Sequence, residues 1–185
     1  RLSRAGDFVS TDQIERAILS GVALPSKSIL ITFDDGLREQ YELAWPILEE
    51  MGIPALFFVN SAPIASSSVS LVHKIHILRS QIPPTDFEQQ VRQLAKDRSI
   101  ELKLTMDSEN WKHYRYDNPE IAKLKYLLNF LLDRDSLALL IDEMFCHHFG
   151  AGGERSVSEQ LYMETDQIEE LGRCGCIGSH AHEHL

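Results

Sequence analysis

Ser28-Ile29-Leu30-Ile31-Thr32-Phe33-Asp34-Asp35-Gly36 opens the stretch that decides the fold, and Ala55-Leu56-Phe57-Phe58-Val59 closes it. The first run is apolar and β-branched up to Phe33 and follows a turn around Pro25-Ser26, which predicts a buried strand of a parallel sheet. Over residues 37–51, Tyr41, Ala44, Trp45, Leu48 and Met51 recur at helical spacing, with Pro46 predicting a kink and Gly52 a C-cap. Ala55–Val59 is a second unbroken apolar strand. Strand, helix and strand within about 30 residues form a βαβ unit, whose strands lie parallel and adjacent. Chemistry in such folds gathers at the C-terminal strand ends, where Asp34 and Asp35 stand.

Upstream, Ser10 or Thr11 predicts the cap of a short helix through Ile14, Ala17 and Ile18, ended by Gly21. Downstream, the texture turns helical from residue 61 to about residue 155, after a Ser-rich loop or linker at 65–70. Four helices are expected. Leu71, Ile75 and Leu78 mark the first, and Asp86 with Gln89 starts the second as a capping box. Asn118-Pro119 opens the third, and Leu137, Leu140, Ile141, Met144 and Phe145 stripe the fourth. Residues 150–153 break the pattern, Thr165 caps another helix through Ile168 and Leu171, and Cys176-Ile177-Gly178 reads as a strand running into Ser179-His180. The expected divisions are therefore 1–60, 61–155 and 156–185, with no internal repeat.

The bulk numbers bound the function. A chain of 185 residues, 43% hydrophobic and 25% charged, has the composition of a globular protein. Its net charge of -10 opposes non-specific nucleic-acid binding and docking on an anionic membrane. No apolar run has the roughly 18 residues of a membrane span, and the opening Arg1-Leu2-Ser3-Arg4 has neither an initiator Met nor a signal-peptide core. Cys146, Cys174 and Cys176 are an odd count without scaffold spacing, so no disulfide framework is expected.

Two motifs carry chemistry. Adjacent carboxylates at a strand end diverge, so one can bind a cation while its neighbour stays free to accept a proton from water. His180 and His184 are four apart, which on a helical turn brings both imidazoles to one face. With one carboxylate they make a two-His, one-carboxylate set that leaves coordination positions open, suited to hydrolysis rather than to a closed structural site. Asp-Asp-Gly alone is more often a turn; the strand before it is what favours catalysis. His182 is expected to face solvent, while His73, His76, His147 and His148 read as structural. A Cys174, Cys176, His180, His184 zinc site is a further chemical option, with cysteines more tightly spaced than is usual.

Thr32-Phe33-Asp34-Asp35-Gly36, the Ala44-Trp45-Pro46-Ile47-Leu48 helix, the strand from Gly52 to Val59 and the terminal His180-Ala181-His182-Glu183-His184 together resemble the polysaccharide deacetylases of the NodB-homology type, carbohydrate esterase family 4. The resemblance implies an α/β fold, a partial distorted (β/α) barrel of the NodB-homology type with an α-helical insertion. It implies hydrolytic removal of N- or O-linked acetyl groups from a carbohydrate with a zinc-type divalent ion. Asp34 then corresponds to the catalytic base, and Asp35, His180 and His184 to the metal ligands. Ala181 stands where the family usually has Ser or Thr. The family's later motifs, including the one bearing the proton donor, are not found, so the chain is expected to be an N-terminal portion without its general acid. The alternative is a non-catalytic binding module derived from the same fold. The family setting also implies the cell envelope or secretion.

Overall fold

The computed structural model describes residues 4–103 and 114–182. Its element order is β1 (Asp7–Phe8), α1 (Thr11–Ser20), β2 (Ser28–Ile29), β3 (Ile31–Phe33), a π-helical segment (Gln40–Ala44), α2 (Trp45–Glu50), β4 (Ala55–Val59) and α3 (Ser61–Ser66). There follow α4 (Leu71–Gln81), α5 (Pro84–Asp97), α6 (Pro119–Tyr126), a second π-helical segment (Leu127–Leu131), α7 (Arg134–Phe149), α8 (Gly153–Leu161), α9 (Thr165–Arg173) and β5 (Ile177–Ser179). The chain is thus a mixed α/β protein that divides into two compact units, one of Arg1–Ser68 with Arg155–Leu185 and one of Val69–Glu154. No described helix is long and apolar enough to cross a membrane.

In the first unit the βαβ expectation is met: β3 pairs with β4 in parallel, Phe33 opposite Phe57. β4 also pairs in parallel with β5, Val59 opposite Ser179, giving the order β3-β4-β5. The run from Ser28 to Phe33 is not one strand, however. Its first two residues pair with Asp7–Phe8, a strand the sequence pattern does not reveal, and after Leu30 the chain changes partner to β4. Nor is β3 fully buried: Ile31 and Phe33 pack on the core while Thr32, on the opposite face, is exposed. β3 has only β4 beside it among the described residues, so its alternating pattern is that of a half-covered strand.

Phe57 is the centre of this core. It is wholly buried with Ala55, Met163 and Leu171, stacked on Phe33 with ring centroids 4.8 Å apart and met edge-on by Trp45 at 6.1 Å. The expected kink at Pro46 takes the form of a π-turn. Proline lacks an N–H and its ring crowds the carbonyl four residues back; the preceding turn widens, and Trp45 N–H bonds the Gln40 carbonyl five residues back. The helix then ends in a Schellman arrangement: Gly52, at φ +62°, donates to Glu49 O, and Ile53 donates to Leu48 O. Ser10 caps α1 through a capping box with Gln13, and Gly21 ends it in the left-handed region.

Among the described residues of the Val69–Glu154 unit the regular elements are all helices. The four predicted helices are present as α4 to α7, the third running on from α6 through the π-segment to Leu131; one start shifts, since α5 begins at Pro84 rather than at an Asp86 cap. Asn118 caps α6 by accepting from Ile121 N–H. Leu78, Phe87, Val91, Leu124, Leu127, Leu140, Ile141 and Phe145 are fully buried. Within this unit Lys74, 6% exposed, bonds Asp142 Oδ1 at 2.6 Å and Glu154 Oε1 at 2.8 Å. Burial pulls its pKa down, but the two carboxylates outweigh it and leave the ammonium above its ordinary value. Two further elements escape the sequence pattern: α3 absorbs Ala65 and Ser66 of the expected loop, and α8 begins at Gly153, inside the expected break.

Phe57→Ala should cost about 3–5 kcal/mol of stability, measured as a shifted urea midpoint, because the surrounding rings cannot close over the void. A second expectation concerns pH. Tyr41 Oη donates to Glu170 Oε2 at 2.7 Å, and this bond, followed by desolvation, pushes the phenol from 10.0 up to about 12. A folded pKa raised above the unfolded one gives stability that is full below about pH 10 and lost as pH rises towards 12. The stability difference between wild type and Tyr41→Phe should therefore be constant below pH 10 and shrink above it.

Candidate functional site

Three strand ends meet at one edge of the β3-β4-β5 sheet. Continuing the register past Phe33 opposite Phe57 brings Asp35 to the level of Val59, and continuing it past Val59 opposite Ser179 sets His180 beside Asn60. The ladder itself extends to His180, whose N–H donates to Val59 O at 2.9 Å.

The turn after β3 shapes the carboxylates. Asp35 and Gly36 both have positive φ, 74° and 65°, a conformation that Asp tolerates better than most residues and Gly adopts freely. Gly36 is required for space as well: a Cβ there would lie 2.9 Å from Val59 Cγ1. Its carbonyl accepts from Met163 N–H at 2.9 Å, and Leu37 bridges Tyr162. Gln40 clamps the turn from inside, donating from Nε2 to Asp34 O at 2.6 Å while Oε1 accepts from Leu37 N–H at 3.2 Å. Asp34 is left exposed and Asp35 is drawn inward, its side chain 16% exposed.

Asp35 Oδ1 lies 3.6 Å from His180 Nε2 and accepts from Asn60 Nδ2 at 3.0 Å. Phe58 flanks the His180 ring with centroids 6.4 Å apart. Of the residues singled out from sequence, Asp35 and His180 are thus brought together, Asp34, next to Asp35 in the chain, is exposed, and His184 lies outside the described residues. The helical placement of His180 and His184 does not describe the backbone at 180–182: His180 follows β5 directly and Ala181 has φ 65°, left-handed rather than α-helical. His182 is exposed, as expected, but not alone, since its Nδ1 is 2.9 Å from Ser61 Oγ.

The donor pair fits a divalent ion. Zinc bonds to imidazole nitrogen and carboxylate oxygen are about 2.0–2.2 Å long, so atoms 3.6 Å apart can share one ion. Among the described residues no third His, Cys, Asp or Glu joins them. All three cysteines are free thiols, and burial pushes the Cys176 thiol up.

Sequence reasoning passes over Asn60, Arg38 and Ser61. Asn60 could have been found by applying the strand-end rule to β4 as well as to β3. Arg38, by contrast, gains its setting only from the fold: it bonds Glu164 Oε1 at 2.8 Å and the Glu159 carbonyl, and it lines a cavity of about 510 Å³ with Pro63, Ser67, Tyr162, Met163 and Asp166.

Residues 21–120 match the family model described as polysaccharide deacetylase. Over 110 residues the chain is 33% identical to poly-beta-1,6-N-acetyl-D-glucosamine N-deacetylase of Escherichia coli K12 and equally to that of Escherichia coli O157:H7; 57% of the chain is covered. The match takes in 15% of each relative's length. Among solved structures, a de-N-acetylase from Aggregatibacter actinomycetemcomitans aligns at TM-score 0.43 with 16% identity, covering 97% of this chain and 38% of that one. A deacetylase domain, BpsB, from Bordetella bronchiseptica aligns at TM-score 0.43 with 15% identity, covering 97% and 40%.

Gly36→Ala should destabilise the protein by about 1–3 kcal/mol, from the left-handed backbone and the Val59 contact together. Chemical denaturation of the two proteins measures it, and Gly52→Ala, where a Cβ meets nothing within 4 Å, should cost less.

Proposed function

The chain belongs to the polysaccharide deacetylase family, and we propose that it forms part of a metal-dependent hydrolase that removes acetyl groups from a carbohydrate. The observation that carries this reading is the 3.6 Å approach of Asp35 Oδ1 to His180 Nε2 at the C-terminal edge of a parallel sheet. Identity to the Escherichia coli enzymes supports the N-acetyl group of a β-1,6-linked N-acetylglucosamine polymer as the substrate. The parallel β3-β4-β5 order fits part of a distorted (β/α) barrel, with residues 61–155 read as a helical insertion between its strands.

Asp35, His180 and His184 would hold the ion, most naturally zinc given the imidazole-rich donor set. A bound divalent ion supplies Lewis acidity, making water more acidic and an acyl oxygen more electrophilic. Asp34, exposed and next to Asp35 in the chain, would take the proton from the attacking water as general base. Gln40 holds the Asp34 backbone, so that base is presented from a fixed turn. The cavity lined by Arg38, Tyr162, Met163 and Glu164 offers polar groups to a sugar chain.

Zinc titration of the chain should give one site, abolished in His180→Ala and His184→Ala. In the complete protein, Asp34→Asn should retain the ion yet lower acetate release from an N-acetylglucosamine oligomer by about 10²–10⁴-fold. Stoichiometric zinc in the His180→Ala protein would refute the ligand assignment, and an Asp34→Asn enzyme of normal rate would refute the base.

A further inference from the structure

β4 runs directly into Asn60, which is 2% exposed and occupies the N-cap of α3 with extended backbone, φ -83° and ψ 136°. An asparagine in that position ordinarily accepts a hydrogen bond from a backbone N–H two or three residues on. Asn60 makes no such bond. The first N–H groups of α3 are satisfied from elsewhere: Ser61 N–H donates to Ala181 O at 3.2 Å and Ala62 N–H to His182 O at 2.9 Å. The segment after β5 therefore caps this helix end with its own carbonyls, and the Asn60 side chain is released from the task.

Its amide turns to the carboxylate instead. Nδ2 donates to Asp35 Oδ1 at 3.0 Å, while Asn60 Oδ1 is buried with no hydrogen-bond partner among the described residues. Charge fixes that orientation, because turning the amide over would set a carbonyl oxygen against a carboxylate oxygen. A buried acceptor without a partner costs free energy. Neither capping nor core packing calls for such a group here, whereas holding Asp35 does.

We propose that Asn60 is a positioning residue for Asp35: its buried amide N–H fixes the carboxylate oxygen that faces His180 Nε2, so that the two donors are set for a divalent cation before one arrives. The inference rests on Asp35 and His180 being metal ligands. Hydrogen-bond partners of this kind orient a ligand and stop it rotating away, and their loss typically weakens metal binding by about 10–100-fold.

Asn60→Ser separates positioning from a structural role, since Asn60 makes no side-chain cap bond to lose, serine suits the same N-cap backbone, and its side chain is too short to span to Asp35. Zn²⁺ affinity by chelator competition, the Co²⁺ absorption spectrum and the melting temperature of the metal-free protein are measured on wild type, Asn60→Ser, Asn60→Thr and Asp35→Ala chains. The metal-free serine variant should melt close to wild type yet bind Zn²⁺ about 10–100-fold more weakly, with shifted Co²⁺ bands. Should it fail to melt cooperatively, the bulkier threonine carries the same expectation. Unchanged affinity and spectrum in a folded variant, alongside lost binding in Asp35→Ala, would overturn the role of Asn60 alone. Unchanged affinity in Asp35→Ala would overturn the ligand reading and this inference with it.

Discussion

Parallel pairing of Phe57 with Phe33 on one side and Ile177 on the other determines where three strand ends fall. Because side chains alternate along a strand, a slip of one residue in β4 would turn Phe57 out of the core and shift Asn60 away from the level of His180. The aromatic contacts of Phe57 with Phe33 and Trp45 therefore do more than stabilise: they hold the register that brings an aspartate and a histidine 145 positions apart (180 - 35) to within 3.6 Å. Chemistry at this edge inherits its geometry from packing several residues away.

Backbone constraint at the edge complements the core. Two successive left-handed residues, Asp35 and Gly36, turn the chain sharply while Gly36 packs against Val59. The result splits two chemically identical side chains into different environments, Asp34 towards solvent and Asp35 inward against Asn60 and His180. On the other side, the residues after β5 reach across to the first turn of α3, and Ser61 meets His182. Strand ends, turn and helix start are thus joined by short hydrogen bonds rather than left as independent loops, which is what a preorganised site requires.

Much of this was legible in the residues. β4 was readable because it is five apolar residues in an unbroken run, and the helical stripe over 137–145 because its period is unambiguous. What escaped was short or depended on distant partners. β1 is two residues long and exists only because Lys27 and Ile29 supply carbonyls to Asp7 and Val9. Ser28 to Phe33 reads as one strand, and only the two sets of partners divide it. The π-turn before Pro46 was visible as a kink but not in form, since proline forbids one bond without dictating its replacement.

Local sequence by itself determined the chemistry on offer: an Asp-Asp-Gly turn after an apolar strand, and a histidine after another. Residue type and short-range pattern suffice there, because turn conformation and strand propensity are decided within a few residues. Tertiary structure alone decided the juxtaposition: which aspartate faces inward, that His180 meets it, and that Asn60 lends its amide to a carboxylate rather than to its own helix. Those outcomes depend on the sheet register and on carbonyls supplied from Ala181 and His182, more than a hundred positions along the chain from Asn60. Contacts over such separations leave no period or motif in one sequence, since they arise from packing and not from neighbouring residues.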